Sequence, residues 1–170
     1  MIIDCHGHVS APSALWVYKA NLLSHLGAHG RRMPEVSDAE ILAAANAKEM
    51  APKGHLDMLE QLGTDLQMLS PRPFQMMHSA KPSKLVHWFT EETNNIIART
   101  IQLIPDRFVA VAGLPQAAGE PIEKVLPELE RCARLGFRGV LFNPDPFENS
   151  GTEAPALGDR YWYPLYEKMV

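Results

Sequence analysis

Met1-Ile2-Ile3-Asp4-Cys5-His6-Gly7-His8 is the stretch on which the reading of this chain turns. Its apolar run, Met1 to Cys5, has the length of a buried strand and passes directly into two histidines. Three later runs read the same way. Leu66 to Ser70 is bounded by Gly63 and Pro71. Phe108 to Leu114 is opened by Ile104-Pro105-Asp106 and closed by Pro115. Gly139 to Phe142 is entered through Gly136 and closed by Asn143-Pro144.

Helical periodicity fills the intervals. Ser37-Asp38-Ala39-Glu40 reads as a capped start, with Ile41, Leu42 and Ala45 on one face. His55 to Leu62 carries Leu56, Leu59 and Leu62, and Gly63 ends it. Pro82 to Ile104 places Leu85, Phe89, Ile96, Ile97 and Ile101 on a long amphipathic helix. Pro121 to Leu135 does the same with Ile122, Val125, Leu129, Cys132 and Leu135, Pro121 suiting a first turn. A last helix, from about Tyr161 to Val170, holds Leu165 and Met169 at i, i+4. The interval Ser10 to Glu35 is long for a βα connection and reads as an active-site loop with one or two helical turns.

Strand followed by helix, four times over, predicts an α/β fold with a mainly parallel sheet. A (β/α)8 barrel takes about 250 residues, so four units in 170 residues make about half of one. The expected fold is the N-terminal half of a metal-dependent TIM-type barrel. Residues 1–170 would form the N-terminal part of a single domain, cut after the helix that follows strand four. A free-standing doubly wound domain is the alternative.

Composition bounds the partners. Hydrophobic residues make up 46% and charged residues 21%, and 16 basic against 20 acidic residues give a net charge of −4. No cationic block stands out, which argues against nucleic acid and anionic membrane as partners. No apolar run approaches the roughly 20 residues that span a bilayer, and no signal peptide is visible. Two cysteines make no disulfide framework, so a cytoplasmic, reducing setting is expected.

Asp4, His6 and His8 alternate along the first strand, and strict alternation points all three to one face. Neutral imidazoles suit zinc or manganese, and Asp4 could then orient one ring from behind. Two surface histidines are the bland alternative. The position of the pair, at the end of a strand and before a long loop, favours a metal site.

The opening Ile-Ile-Asp-Cys-His-Gly-His resembles the start of the amidohydrolase superfamily. Ser70-Pro71-Arg72, Leu114-Pro115-Gln116, Asn143-Pro144-Asp145-Pro146 and the closing segment from Asp159 to Met169 narrow the likeness. Together they resemble the 4-oxalomesaconate hydratases, in the branch that also holds aminocarboxymuconate-semialdehyde and resorcylate decarboxylases. The resemblance implies a hydro-lyase that adds water to 4-oxalomesaconate in protocatechuate or gallate breakdown. It implies a divalent metal, zinc first and manganese second, held by His6 and His8. Further ligands, two histidines and an acid on later strands, would fall beyond Val170, so these residues alone should hold metal weakly.

Among the remaining polar residues, Arg72 suits two-pronged carboxylate binding. Asn143, Asp145 and His78 are further candidates for contact with a small polycarboxylate substrate, although Asn-Pro-Asp-Pro is also good turn chemistry. The group that gives or takes protons is not identified. His25 and His29 are expected in solvent, His55 and His87 on outer helix surfaces, and Cys5 under a helix. Trp16, Trp88 and Trp162 read as core or interface. A decarboxylase of the same branch is the second functional reading, and a silent assembly module the third. Open sheet edges invite pairing with another chain, so a homo-oligomer is expected.

Overall fold

The computed structural model describes residues 1–48 and 51–170. Strands β1 (Ile3–His8), β2 (Leu66–Ser70), β3 (Phe108–Gly113) and β4 (Gly139–Leu141) form one sheet in the order β1-β2-β3-β4, and every neighbouring pair is parallel. Parallel neighbours need long crossovers, which helices supply. These are α1 (Ser13–His25), α2 (Asp38–Ala45) and α3 (His55–Gln61) before β2, then α4 (Lys84–Leu103), α5 (Leu126–Arg134) and α6 (Tyr163–Met169). Strand order equals chain order, as in the winding of a barrel. The structure is four consecutive units of a TIM-type half-barrel, as the strand and helix pattern predicts.

The helices lie on one face of the sheet. Ala110 and Ala112 of β3 pack there against Ile96, Ile97, Cys132 and Phe137. Phe108 and Leu69 pack against Leu59 of α3. A third cluster joins Leu114, Ile122, Val125, Leu129, Trp162 and Leu165, so the last helix is docked through Trp162 and Leu165. Met68 and Val111 occupy the opposite, concave face, where both approach Gly139.

Two polar devices set the frame. Ser37 and Glu40 form a complete capping box at the start of α2, which satisfies helix N–H groups that have no internal acceptor. Asn94, wholly buried on α4, accepts from Gly113 N (2.9 Å) and donates to Gly113 O (3.0 Å) and to Glu128 (2.7 Å). It therefore completes the backbone pairing of β3 where β2 has ended.

The structure corrects several expectations. The interval Ser10 to Glu35 contains a full 13-residue helix, α1, whose Leu15, Tyr18 and Leu22 bury against Leu85 and Phe89. The stripe had been hidden because Trp16, Val17 and Leu23 lie among the buried positions and blur the period. Leu42, Leu62, Leu135 and Met169 are exposed, since helices of seven to nine residues bury only their central contacts. Cys5 is exposed rather than packed under a helix. Trp162 is core, as expected, while Trp16 and Trp88 are half-buried.

Candidate metal centre and barrel mouth

The imidazoles of His6 and His8 come together at the end of β1, with ring centroids 5.1 Å apart in an edge-on arrangement. A defect in the strand lies just ahead of them. Asp4 pairs with Gln67 but Gly7 pairs with Leu69, so three steps on β1 match two on β2. This is a β-bulge, which bends a strand and re-aims its side chains.

The bulge overturns the expected alignment of Asp4 with the histidines. Asp4 Oδ2 accepts from Gln67 Nε2 at 2.6 Å, and Gln67 Oε1 meets His55 Nε2 at 2.7 Å. The Asp4 carboxylate thus faces α3, beneath the helices. The Gln67 hydrogen bond, and next the N–H of His6, hold its pKa below the ordinary value. Gly7 lies against the same Gln67, and a Cβ there would stand 2.5 Å from Gln67 Cγ and Cδ. His55 belongs to this partly buried linkage and stacks on Phe108.

His8 is oriented by other groups. Its Nδ1 lies 2.9 Å from Ser70 Oγ and 3.1 Å from Pro71 O. The carbonyl only accepts, and the Ser70 hydroxyl is already donating to Gly7 O at 3.2 Å. Nδ1 must then carry the proton, and Nε2 keeps its lone pair. Burial, and then the neighbouring His6, lower the His8 pKa and favour this neutral form. A neutral ring with one nitrogen anchored and the other free is the donor a zinc-type cation needs. His6 and His8 therefore fit such an ion as a partial ligand set. Among the described residues no group of three metal-binding side chains forms.

The other candidates divide into two places. Arg72 lines a cleft of about 760 Å³ with Ser10, Ser13, Trp16, Asn46 and Lys48, at the start of α1. It makes no ion pair among the described residues. His78, Asn143 and Asp145 line a second cavity of about 610 Å³, with Met76, Leu141 and Glu148. Both open at the C-terminal ends of the strands, where barrel chemistry is placed.

Within the second cavity the Asn-Pro-Asp-Pro segment is held as a turn. Asn143 Oδ1 accepts from Asp145 N and Asp145 Oδ1 from Phe147 N, both at 3.0 Å. Asn143 Nδ2 donates to Glu148 at 3.3 Å. Sequence reasoning missed Gln116, whose buried amide grips Asn143 N (2.5 Å) and Asn143 O (2.9 Å) and so ties the end of β3 to that of β4. It also missed Gln67 and Glu148. A glutamine inside a strand's apolar run was the available signal for Gln67; Glu148, in a loop, gave none.

His25 and His29 are exposed, as expected. His87 is half-buried and meets Glu120 at 2.7 Å.

Known proteins are similar to this chain in sequence and fold. A 2-keto-4-carboxy-3-hexenedioate hydratase of Sphingobium sp. is 38% identical over 175 residues, covering 100% of this chain and 49% of its own length. The crystal structure of 4-oxalomesaconate hydratase from Rhodopseudomonas palustris superposes with a TM-score of 0.81 at 32% identity, over 99% of this chain and 49% of that one. A dihydroxybenzoic acid decarboxylase from Polaromonas sp., solved with bound manganese, shares the fold with a TM-score of 0.62 at 20% identity, over 98% of this chain and 45% of its own. The chain thus spans about half the length of the relatives it matches. No helix among the described residues is long and apolar enough to cross a membrane. The amidohydrolase family model matches residues 3–170, and this protein belongs to the amidohydrolase family.

Proposed function

We propose that this chain is the N-terminal part of a single barrel domain whose activity is that of a hydro-lyase, adding water to 4-oxalomesaconate in the degradation of aromatic acids. The observation that carries the reading is the imidazole pair, with His8 anchored through Nδ1 so that Nε2 is free. Support comes from the whole-chain likeness to two hydratases. His6 and His8 would hold a divalent metal, zinc before manganese, and such an ion acidifies water or polarises a substrate oxygen.

Arg72 takes a carboxylate of the substrate, its planar guanidinium in no ion pair among the described residues and accompanied in the same cleft by Lys48 and Glu40. Asn143, Asp145 and His78 contact the substrate from the second cavity. Because catalytic zinc takes three protein ligands, the metal affinity of these residues alone is weak. The ligand set is completed by strands that follow, or by a second chain against the open edges. The working compartment is the cytoplasm.

The test is an assay of metal-loaded protein with 4-oxalomesaconate, following loss of the conjugated chromophore and release of carbon dioxide in parallel. Hydration that disappears in His6→Ala and His8→Ala is the expected result. Carbon dioxide release without hydration makes the protein a decarboxylase and overturns the proposal. Neither product, together with a stable oligomer that takes up no metal, leaves an assembly role in its place.

A further inference from the structure

His25 and His29 line neither cavity of the mouth. Their spacing of four is the one that sets two histidines on the same side of a helical turn, where they can share an ion. His25 closes α1 and His29 lies in the turn after it. That turn folds the chain back because the helix stops in a left-handed conformation, with Leu26 at φ 49 and Gly27 at φ 70. The N–H of Leu26 still donates to Leu22 O, and that of Ala28 donates to His25 O at 2.8 Å. The two ring centroids end 4.2 Å apart, with their planes at 74°.

The fold-back is held from beneath. Gly27 is buried, and a Cβ there would stand 2.9 Å from Leu85 and Lys84 and 3.0 Å from Trp88, all on α4. The turn therefore rests tightly on α4, while both imidazoles are exposed. Ring hydrogen bonds engage His8, His55, His78 and His87. Neither His25 nor His29 makes one among the described residues, so each neutral ring keeps a lone pair for a ligand.

The spacing of the rings suits a shared cation. Two imidazoles on adjacent positions of one ion, each nitrogen about 2.1 Å from it, set their centroids about 4.5–5 Å apart. Exposed rings reach that from 4.2 Å by a small side-chain rotation. The last carbonyls of α1 add the negative end of a helix dipole. Lys84 opposes it, since its ammonium donates to Gly27 O at 3.4 Å. No third histidine, cysteine or carboxylate joins the pair among the described residues, so water supplies the remaining ligands.

We propose that His25 and His29 form a metal site of their own, a two-histidine surface chelate for a divalent zinc-, nickel- or copper-type cation, separate from the His6–His8 pair. Imidazole selects those ions over magnesium and calcium, which take oxygen ligands. A bound ion ties the last turn of α1 to the chain that follows and so stabilises the fold-back. Metal-loaded protein then carries ions at two places, and metal content alone does not report on the barrel mouth.

The test is a zinc titration of the 170-residue chain in mildly alkaline buffer, where free imidazole is neutral. Proton–carbon NMR of the histidine rings follows it, assigned with His25→Gln and His29→Gln. Both side chains are exposed, so either variant should keep the fold, which the remaining spectrum checks. The His25 and His29 signals should move together with one midpoint. In His29→Gln the midpoint at His25 should rise about 10-fold or more, because the second ring no longer holds the ion in place. Magnesium should move neither signal. Signals that stay in place, that move with different midpoints, or that answer to magnesium as to zinc overturn the proposal. So does a His25 midpoint in His29→Gln within about 3-fold of the parent, which would mean two independent rings rather than a chelate.

Discussion

Replacing Gly7 with alanine is expected to destabilise the protein by roughly 2.5–6 kcal/mol. The reason is space rather than backbone conformation, since Gly7 is not among the glycines with positive φ. A Cβ would lie 2.5 Å from Gln67 Cγ and Cδ and 2.8 Å from Oε1, where ordinary contact begins at 3.4 Å. Gln67 would have to withdraw by about 1 Å. It is 5% exposed and tied at both ends, to Asp4 at 2.6 Å and His55 at 2.7 Å. Overpacking of a filled site costs about 1–3 kcal/mol, and a hydrogen bond to a charged group contributes about 1.5–3 kcal/mol. Urea unfolding measures the difference between parent and variant. Gln67→Ala removes the obstacle, so in that background Gly7→Ala should cost less than about 0.5 kcal/mol, and the cycle isolates the contact. A variant as stable as the parent, or a penalty that persists in the Gln67→Ala background, would refute the reasoning.

Asn94→Ala strands both backbone groups of Gly113 in the core, and calorimetry should find a loss of roughly 3 kcal/mol. Ser37→Ala removes the capping box of α2 and should lower the thermal midpoint by about 2–4 °C at neutral pH. Glu40, held below its ordinary pKa first by the Ser37 N–H and then by its hydroxyl, contributes fully above the unfolded carboxyl pKa. That contribution fades as pH falls through the lowered value, so the gap between parent and Ser37→Ala should narrow in acid. Iodoacetamide should label exposed Cys5 in the folded protein and spare Cys132, whose buried thiol is pushed up in pKa by desolvation and by Glu128; mass spectrometry of labelled peptides reads the outcome.

The strands were legible because each is a short apolar run fenced by glycine or proline, and three of the four agree with the structure within a residue or so at each end. The histidine pair was legible from spacing. The bulge that sets Asp4 apart from the rings was not, because strict alternation is the only rule available when the partner strand is unknown. Asp4 followed that rule to the wrong face. Arg72 and Asn143 follow β2 and β4 closely and His78 lies farther along the loop after β2, and Arg72 lines one cavity while His78 and Asn143 line the other. Gln67, Asn94 and Gln116 work by hydrogen-bonding to partners 63, 19 and 27 residues away, and pattern along one chain carries no trace of such pairings.

The mismatch between β1 and β2 means that the first strand carries one residue more than its partner can pair. Removing Cys5 would leave two steps against two, with Asp4 still beside Gln67 and Gly7 still beside Leu69, so no side chain ahead of the gap would change face. Exchanging the Cys5 side chain for another would disturb none of this. At this edge a lost codon and a changed letter should both be forgiven, because the surplus position pairs with nothing.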